Sequence, residues 1–210
     1  MLPAKSICRI GVFYDGSYFA FARRYFYHER KLGWLAFPAF HRLVEDFMRK
    51  KEQGYSDYKV VYSAWFQGLF PAQDATEDQL RFERNNYHDL MHAGVEAKYL
   101  PMSTTQGEKG IDVALAVDAM QVGRDGKIDV AVLATGDGDF VPLVRALMKD
   151  GIRIVAAYFD FVQEDGKKSF INERLRNAVN YDLNLNALEK DKDYKAEFRH
   201  LFRKPQEKST

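Results

Sequence analysis

The chain has little cysteine, no long apolar run and almost no net charge, and each shortage excludes a class of protein. One cysteine, Cys8, among 210 residues excludes an internal disulfide and a cysteine-rich zinc module. No apolar segment reaches the roughly 18 residues that a membrane-spanning helix needs, and the first residues lack the pattern of a secretory signal. Lys and Arg number 31 against 30 Asp and Glu, which excludes a histone-like polycation and an acidic tail protein. We therefore expect a globular protein of the cytoplasm.

The length and the apolar content predict one domain with a normal hydrophobic core. Hydrophobic residues make up 46% of the chain, and a chain of this size buries roughly 70% of its unfolded surface. We expect this domain to span residues 1–188. Residues 189–210 are charged at nearly every second position, and we interpret them as a solvated C-terminal appendage with a marginal helix.

Apolar segments rich in Val, Ile and Ala alternate with helical segments between residues 7 and 185. The predicted strands cover residues 7–14, 58–66, 95–100, 130–135, 152–159 and 181–185, and the predicted helices cover residues 17–30, 38–53, 74–93, 111–122, 140–149 and 169–178. Continuous apolar strands separated by helices are typical of a parallel sheet that is covered on both faces. The sequence therefore predicts an α/β fold: a three-layer α/β/α sandwich with a mainly parallel central sheet.

Acidic side chains follow two of the predicted strands at their carboxyl ends. Asp15 follows the first strand, and Asp137 and Asp139 lie in the segment TGDGDF after the fourth. Ligands of open parallel sheets bind beyond the carboxyl ends of the strands. Three carboxylates at one edge repel one another unless a cation lies among them, and hard divalent ions such as Mg²⁺ take oxygen ligands. The pattern favours a metal site formed by these three side chains.

Each acid also has a structural interpretation. Asp15 alone fits a turn aspartate, and Asp139 alone fits an N-cap for the helix over residues 140–149. Asp112 lies in the first turn of an apolar helix, where the helix dipole favours a negative charge. Its position beside the preceding loop also makes it a fourth candidate for the site. We expect Asp118, further along that helix, to face a partner side chain or the rim of the site.

Three segments of the chain together carry a family signature. They are VFYDGS (residues 12–17), KGIDVALAVDAM (residues 109–120) and VLATGDGDFVPLVRALMKDGIRIVAAYF (residues 132–159). The third is the most specific, with a strand, an acidic glycine-rich turn, a helix, a glycine and another strand. Together they resemble the NYN domain, in its bacterial LabA-like branch, which belongs to the PIN-like nuclease superfamily. This resemblance implies a PIN-like sandwich and a Mg²⁺- or Mn²⁺-dependent RNA phosphodiesterase.

The resemblance also implies roles for individual residues. The family's acidic, catalytic positions correspond here to Asp15, Asp112, Asp137 and Asp139. The three that follow strands would hold the metal ion, which would activate a water for hydrolysis of RNA. Thr135 matches the family's small hydroxyl residue beside the acids, and Tyr18 stands where many members have an asparagine.

Cations and aromatic side chains alternate along the predicted first helix and the loop after it. Bases stacked on aromatic rings beside phosphate-binding cations are a common way to hold single-stranded RNA. Helical spacing places Phe19, Ala22 and Phe26 on one face, which predicts that they are buried. The residues that we expect to contact the RNA substrate are Ser17, Arg23, Arg24, Tyr27 and Thr135.

Other functions fit parts of the sequence. A non-catalytic RNA-binding or regulatory module of the same fold would suit an incomplete set of acids. A haloacid dehalogenase-like phosphatase would need a nucleophilic aspartate two residues before Asp15, where this chain has Phe13. His88 and His92 imitate the spacing of a zinc metalloprotease helix, but no third ligand lies nearby in the sequence, which favours a solvated helix face.

Overall fold

A computed structural model of the chain describes residues 7–102 and 109–204. The strands, in chain order, are β1 (Cys8–Asp15), β2 (Trp34–Leu35), β3 (Tyr58–Leu69), β4 (Glu96–Pro101), β5 (Val130–Ala134), β6 (Arg153–Tyr158), β7 (Phe161–Val162), β8 (Lys168–Ser169), β9 (Tyr181–Asn184) and β10 (Phe202–Arg203). The α-helices are α1 (Gly16–His28), α2 (Phe37–Lys51), α3 (Glu77–His92), α4 (Ile111–Arg124), α5 (Val141–Lys149), α6 (Glu173–Ala178) and α7 (Lys195–His200).

Six strands form a central sheet in the order β4–β3–β1–β5–β6–β9. Every neighbouring pair in this sheet is parallel, which confirms the predicted three-layer α/β fold. From β1 the chain moves outward to β3 and β4, and it then returns to the other side of β1 to form β5. Parallel sheets have their ligand crevice where the strand order reverses in this way, so the fold places a crevice between the carboxyl ends of β1 and β5.

Side chains on the two faces of the sheet form two hydrophobic clusters. Successive residues of a strand point to opposite faces, so Tyr14 packs with one cluster and Phe13 with the other. The first cluster contains apolar residues of α1, α2 and the C-terminal segment, among them Phe19, Ala22 and Phe26, whose predicted burial is confirmed. The second contains apolar residues of α4 and α5. Both faces of the sheet are therefore covered.

Local signals for helix ends are confirmed at two places. Thr76 caps α3 in a capping box: its hydroxyl accepts from Gln79 N, and the Gln79 side chain accepts from Thr76 N. Gly94, just after α3, has a φ of +68°, a conformation that glycine adopts without strain. These two signals in the sequence therefore mark the two ends of α3.

The helix predicted over residues 169–178 begins later than expected. Ser169 belongs instead to β8, which pairs with β7 in a short antiparallel hairpin. Asn172 is the N-cap of α6, and its side chain accepts a hydrogen bond from Arg174 N at 2.9 Å. The prediction was wrong for residues 169–172 because tertiary pairing with β7 overrides the local helical preference.

The C-terminal segment packs against the domain, where the sequence predicted a solvated appendage. Tyr194, Phe198 and Leu201 are each at most 8% exposed and belong to the first core cluster. β10 pairs with β2 in an antiparallel ribbon. The prediction of solvation was wrong because three apolar residues spaced among the charges point inward. The division of domains at residue 188 stays a prediction, and residues 205–210 lie outside the described residues.

His41 in α2 provides a test of stability against pH. Burial, and secondarily the charge of Arg42, lowers the pKa of His41 to about 4, and its Nε2 atom has no hydrogen-bond partner among the residues that the structure describes. The pKa of His41 in the folded protein lies below the usual 6.5. The contribution of neutral, buried His41 to the stability of the fold is therefore fully present above pH 6.5 and is lost as the pH falls toward 4.

We expect the free energy of unfolding to fall by about 2 kcal/mol between pH 7 and pH 5 on account of His41. Urea unfolding at several pH values should show this fall, and His41→Met should remove that part of it. An identical pH dependence in the variant and the wild type would contradict the assignment.

Candidate active site

Asp15 ends β1 and begins α1 in the crevice between β1 and β5. Its Oδ1 atom accepts a hydrogen bond from Tyr18 N at 3.1 Å, so the side chain is the N-cap of α1. Gly16 follows it because there is no room for a side chain: a Cβ atom there would lie 2.5 Å from the carbonyl oxygen of Phe66. The Asp-Gly pair therefore turns the chain directly from strand to helix and holds the carboxylate at the sheet edge.

Thr135 joins the ends of the two strands through its hydroxyl group. This side chain is 1% exposed, so Thr135 is not the RNA contact that we expected. Its Oγ1 atom donates to Asp15 Oδ2 at 3.1 Å and accepts from Asp137 N at 3.2 Å. A threonine hydroxyl can donate once and accept as well, so one buried group connects the Asp15 carboxylate to the segment that carries Asp137 and Asp139.

Asp137 and Asp139 lie in a short 3₁₀ turn after β5. The Asp137 Oδ1 atom accepts from Asp139 N at 2.9 Å, which makes Asp137 the cap of this turn. The sequence had suggested Asp139 as the cap, and the 3₁₀ turn before α5 explains the change. Both carboxylates are exposed, and none of the ion pairs between described residues includes either of them.

Asp112 approaches the site from α4. It is exposed, and with Asp139 it lines a groove of about 760 Å³ between α4 and α5. Asp118 is engaged elsewhere: it forms an ion pair with Lys98 and accepts from Tyr62 Oη at 2.7 Å. The expectation that Asp118 faces a partner side chain is therefore confirmed, and Asp112 is the α4 acid that shares a groove with the site.

The four acids offer oxygen ligands suited to a hard divalent cation. Within residues 7–102 and 109–204, no three His, Cys, Asp or Glu side chains are grouped so that they could hold a metal ion. The grouped triad of Asp15, Asp137 and Asp139 is therefore not assembled as the sequence predicted. Mg²⁺ needs only one or two carboxylates because it keeps several waters. The Asp15 carboxylate and the turn joined to it by Thr135 fit such a water-rich ion.

Tyr18 stands where many members of the family that the sequence resembles have an asparagine. In the structure its side chain has a structural role. Its Oη atom accepts a hydrogen bond from Phe159 N at 2.8 Å, and burial raises the pKa of this phenol to about 12. The side chain stays neutral at ordinary pH, and it ties the first turn of α1 to the end of β6.

The segment after β8 covers the acidic turn, and the sequence did not indicate it. Asn172 N donates to Gly136 O at 2.8 Å. A Cβ atom at Gly136 would lie 2.6 Å from Phe170 O, and one at Gly138 would lie 2.6 Å from the amide carbon of Asn172. Gly136 is therefore needed for this close approach of the two backbone segments, and Gly138 leaves room for the Asn172 side chain. Asn172 borders the site, and only a correct start for α6 could have shown it in the sequence.

Two of the predicted RNA contacts lie on an accessible surface next to the acids. Ser17 and Arg24 line one cavity of about 580 Å³ with Trp34. Arg24 is exposed, with its guanidinium 4.8 Å from the ring centre of Phe82. Tyr27 stacks on Trp34 with 4.4 Å between ring centres. A cavity with a cation and an aromatic wall thus begins two residues from Asp15.

Arg23 is not the accessible cation that we expected on α1. It is 2% exposed, and its guanidinium donates to Asn86 Oδ1 at 2.5 Å and to Asp89 Oδ2 at 2.6 Å. This is a correction to the prediction: Arg23 joins α1 to α3 through partners far away in the sequence.

His88 and His92 lie on the exposed side of α3. Their Nε2 atoms are 3.1 Å apart, and they are not part of any three-ligand group in the described part of the chain. The exposure of both side chains agrees with the solvated helix face that the sequence favoured.

Comparisons with known proteins agree with this fold. Residues 9–185 match the NYN domain family. A crystal structure of a protein of unknown function from Vibrio parahaemolyticus RIMD 2210633 has the same fold, with a TM-score of 0.59 and 19% sequence identity over 92% of this chain and 98% of that one. None of the curated proteins compared with the chain is similar enough to match. No helix within the described residues is long and apolar enough to cross a membrane.

Proposed function

The chain belongs to the NYN domain family, and we propose that it is a metal-dependent ribonuclease that hydrolyses RNA phosphodiester bonds at the crevice between β1 and β5. The observation that carries the proposal is the buried Thr135 hydroxyl, which joins Asp15 to the turn of Asp137 and Asp139. NYN domains belong to the PIN-like nuclease superfamily. We further assign the chain to the LabA-like branch of the family and to the cytoplasm.

In this proposal the position of each carboxylate determines whether it binds the metal ion or transfers a proton. Asp15 and Asp137 would hold a Mg²⁺ or Mn²⁺ ion that keeps several waters, and Asp139 would contribute from the same turn. The bound cation would lower the pKa of a water and offset the negative charge of the phosphate. Asp112 and Asp139, exposed along one groove, are the carboxylates that we assign to proton transfer with the substrate.

The RNA strand is held beside the acids by the cavity that begins at Ser17. Arg24 contributes a positive charge for the phosphates, and the stacked pair of Tyr27 and Trp34 offers an aromatic surface. Contacts of these two kinds bind single strands with little sequence preference. We therefore expect single-stranded RNA to be cut more readily than a duplex.

The test is cleavage of a labelled single-stranded RNA by the full chain, with Mg²⁺, with Mn²⁺ and with EDTA. Cleavage that needs the metal and that is lost in Asp137→Asn supports the proposal. Cleavage that persists unchanged in Asp137→Asn shows a contaminating nuclease and counts against it.

A second candidate is a non-catalytic RNA-binding module, which the lack of a three-acid group among the described residues favours. Binding of the labelled RNA without cleavage in either metal would support this module. A haloacid dehalogenase-like phosphatase is disfavoured because Phe13, buried in the core, occupies the position of its nucleophile. Release of phosphate from a small phosphomonoester would be the sign of that activity.

A further inference from the structure

A second cavity, which we name the Arg23 cavity, lies between α1, α3, β2 and β10. Its volume is about 380 Å³, within the range of small-molecule sites. The residues of this cavity that matter here are Arg23, Trp34, Phe82, Asp89, Arg203 and Lys204. Arg203 and Lys204 come from the C-terminal segment, beyond the residues that match the NYN family.

Positive charge exceeds negative charge on the walls of the Arg23 cavity. Among the described residues that line it, Arg23, Arg203 and Lys204 are cations, and Asp89 is the acid. Asp89 is shared, with one oxygen 2.6 Å from Arg23 and the other 3.0 Å from Arg203. One carboxylate cannot balance three cations, so the cavity favours an anionic ligand.

A buried donor in the wall of this cavity lacks an acceptor among the residues that the structure describes. Two nitrogens of the Arg23 guanidinium are bonded to Asn86 and Asp89, but Nε has no partner among residues 7–102 and 109–204. Arg23 is 2% exposed, and an unpaired buried donor is unfavourable. Arg23 therefore contributes a positive charge to the cavity wall that its hydrogen-bond partners satisfy only in part.

Aromatic rings form the other walls. Trp34 is supported by Tyr27, which stacks on it, and the ring centre of Phe82 lies 6.1 Å from that of Trp34. Trp34 and Phe82 also line the cavity that begins at Ser17. The two cavities therefore lie side by side and share these two rings as part of their walls.

We infer that the Arg23 cavity binds a nucleotide unit, with the base against Trp34 and Phe82 and the phosphate at Arg203 and Lys204. Its assignment to a single-stranded RNA that runs from the crevice rests on the proposed function. A free nucleoside monophosphate has the same chemistry, and the test below separates the two sources.

The test measures binding of a fluorescent ten-nucleotide RNA by anisotropy in EDTA, so that cleavage plays no part. Arg203 is 62% exposed, and its replacement should leave the fold intact. We expect Arg203→Ala to weaken binding about 10-fold and Trp34→Leu to weaken it roughly 5- to 100-fold, as loss of one stacked base does. Arg199→Ala, an exposed cation on α7 that does not line the cavity, is the matched control and should bind as the wild type does.

Two competitors identify the ligand. Competition by a nucleoside monophosphate at concentrations close to those of the oligonucleotide, with the same dependence on Arg203 and Trp34, supports a free nucleotide in the cavity. Much weaker competition by the monophosphate supports RNA. Heparin is a polyanion without bases: if it binds as RNA does and Trp34→Leu changes neither affinity, the inference is overturned.

The same measurements keep this inference apart from the nuclease proposal. RNA binding that depends on Arg203, in a chain that does not cleave, leaves the cavity assignment standing and removes the nuclease. Metal-dependent cleavage with RNA binding that is indifferent to Arg203 and Trp34 does the reverse.

Discussion

Asp15→Asn and Asp137→Asn are each expected to lower metal-dependent RNA cleavage on the order of 100-fold or more. Outer-shell partners of metal ligands already contribute roughly 10- to 100-fold to affinity or activity, and the carboxylates themselves should contribute more. Asparagine is as good an N-cap as aspartate. Asp15 caps α1 and Asp137 caps the 3₁₀ turn, so each change removes a charge while the local structure is kept.

The measurement is the initial rate of cleavage across a range of Mn²⁺ concentrations, together with the urea midpoint of each variant. Asp125→Asn, an exposed acid at the end of α4, is the matched control and should cleave as the wild type does. Full activity in Asp15→Asn with an unchanged midpoint would remove Asp15 from the mechanism.

Variants at Thr135 test the hydrogen-bonded bridge between the two strand ends independently of the carboxylates that would bind the metal. Thr135→Val keeps the shape but leaves Asp15 Oδ2 and Asp137 N without the hydroxyl that joins them. Thr135→Ser keeps the hydroxyl. We expect a loss of roughly 10- to 100-fold in the valine variant and near wild-type cleavage in the serine variant. Equal activity in both would show that the bridge has no part in the reaction.

The sequence predicted the site as far as local signals reach. Buried strands and the Asp-Gly turns placed Asp15, Asp137 and Asp139 at carboxyl ends of parallel strands, and the structure has them there. That β1 and β5 are neighbours depends on strand order, which follows from packing of the whole sheet. The bridging role of Thr135 follows from that adjacency, so no pattern within its own segment could predict the hydrogen bond.

For Arg23, helical periodicity predicts the buried face of α1 but not the burial of this cation. The spacing of Phe19, Ala22 and Phe26 identified the buried face of α1, and Arg23 lies at its edge. Charge alone suggested an exposed contact for RNA. Its burial depends on Asn86 and Asp89 of α3, which supply acceptors from a distant part of the chain. A buried cation needs such partners, and a single sequence does not show which residues they are.

Phe198→Ala is expected to lower the free energy of unfolding of the whole domain by about 3 kcal/mol. The ring is 2% exposed and lies against Phe26 of α1 and Phe202, at 6.2 and 5.2 Å between ring centres. A solvated appendage would give a change within about 0.5 kcal/mol. The size of the change in unfolding free energy therefore shows whether the C-terminal segment is part of the core or only attached to the domain.

Urea unfolding of the full chain measures this difference, with Lys195→Ala, an exposed residue of the same helix, as the matched control. The control should unfold as the wild type does. If Phe198→Ala also unfolds at the wild-type midpoint, residues 189–204 do not belong to the cooperative unit, and β10 cannot hold Arg203 firmly beside Trp34. The loss of stability and the RNA affinity of the Arg23 cavity are thus linked, because both need the C-terminal segment to stay docked on α1 and β2.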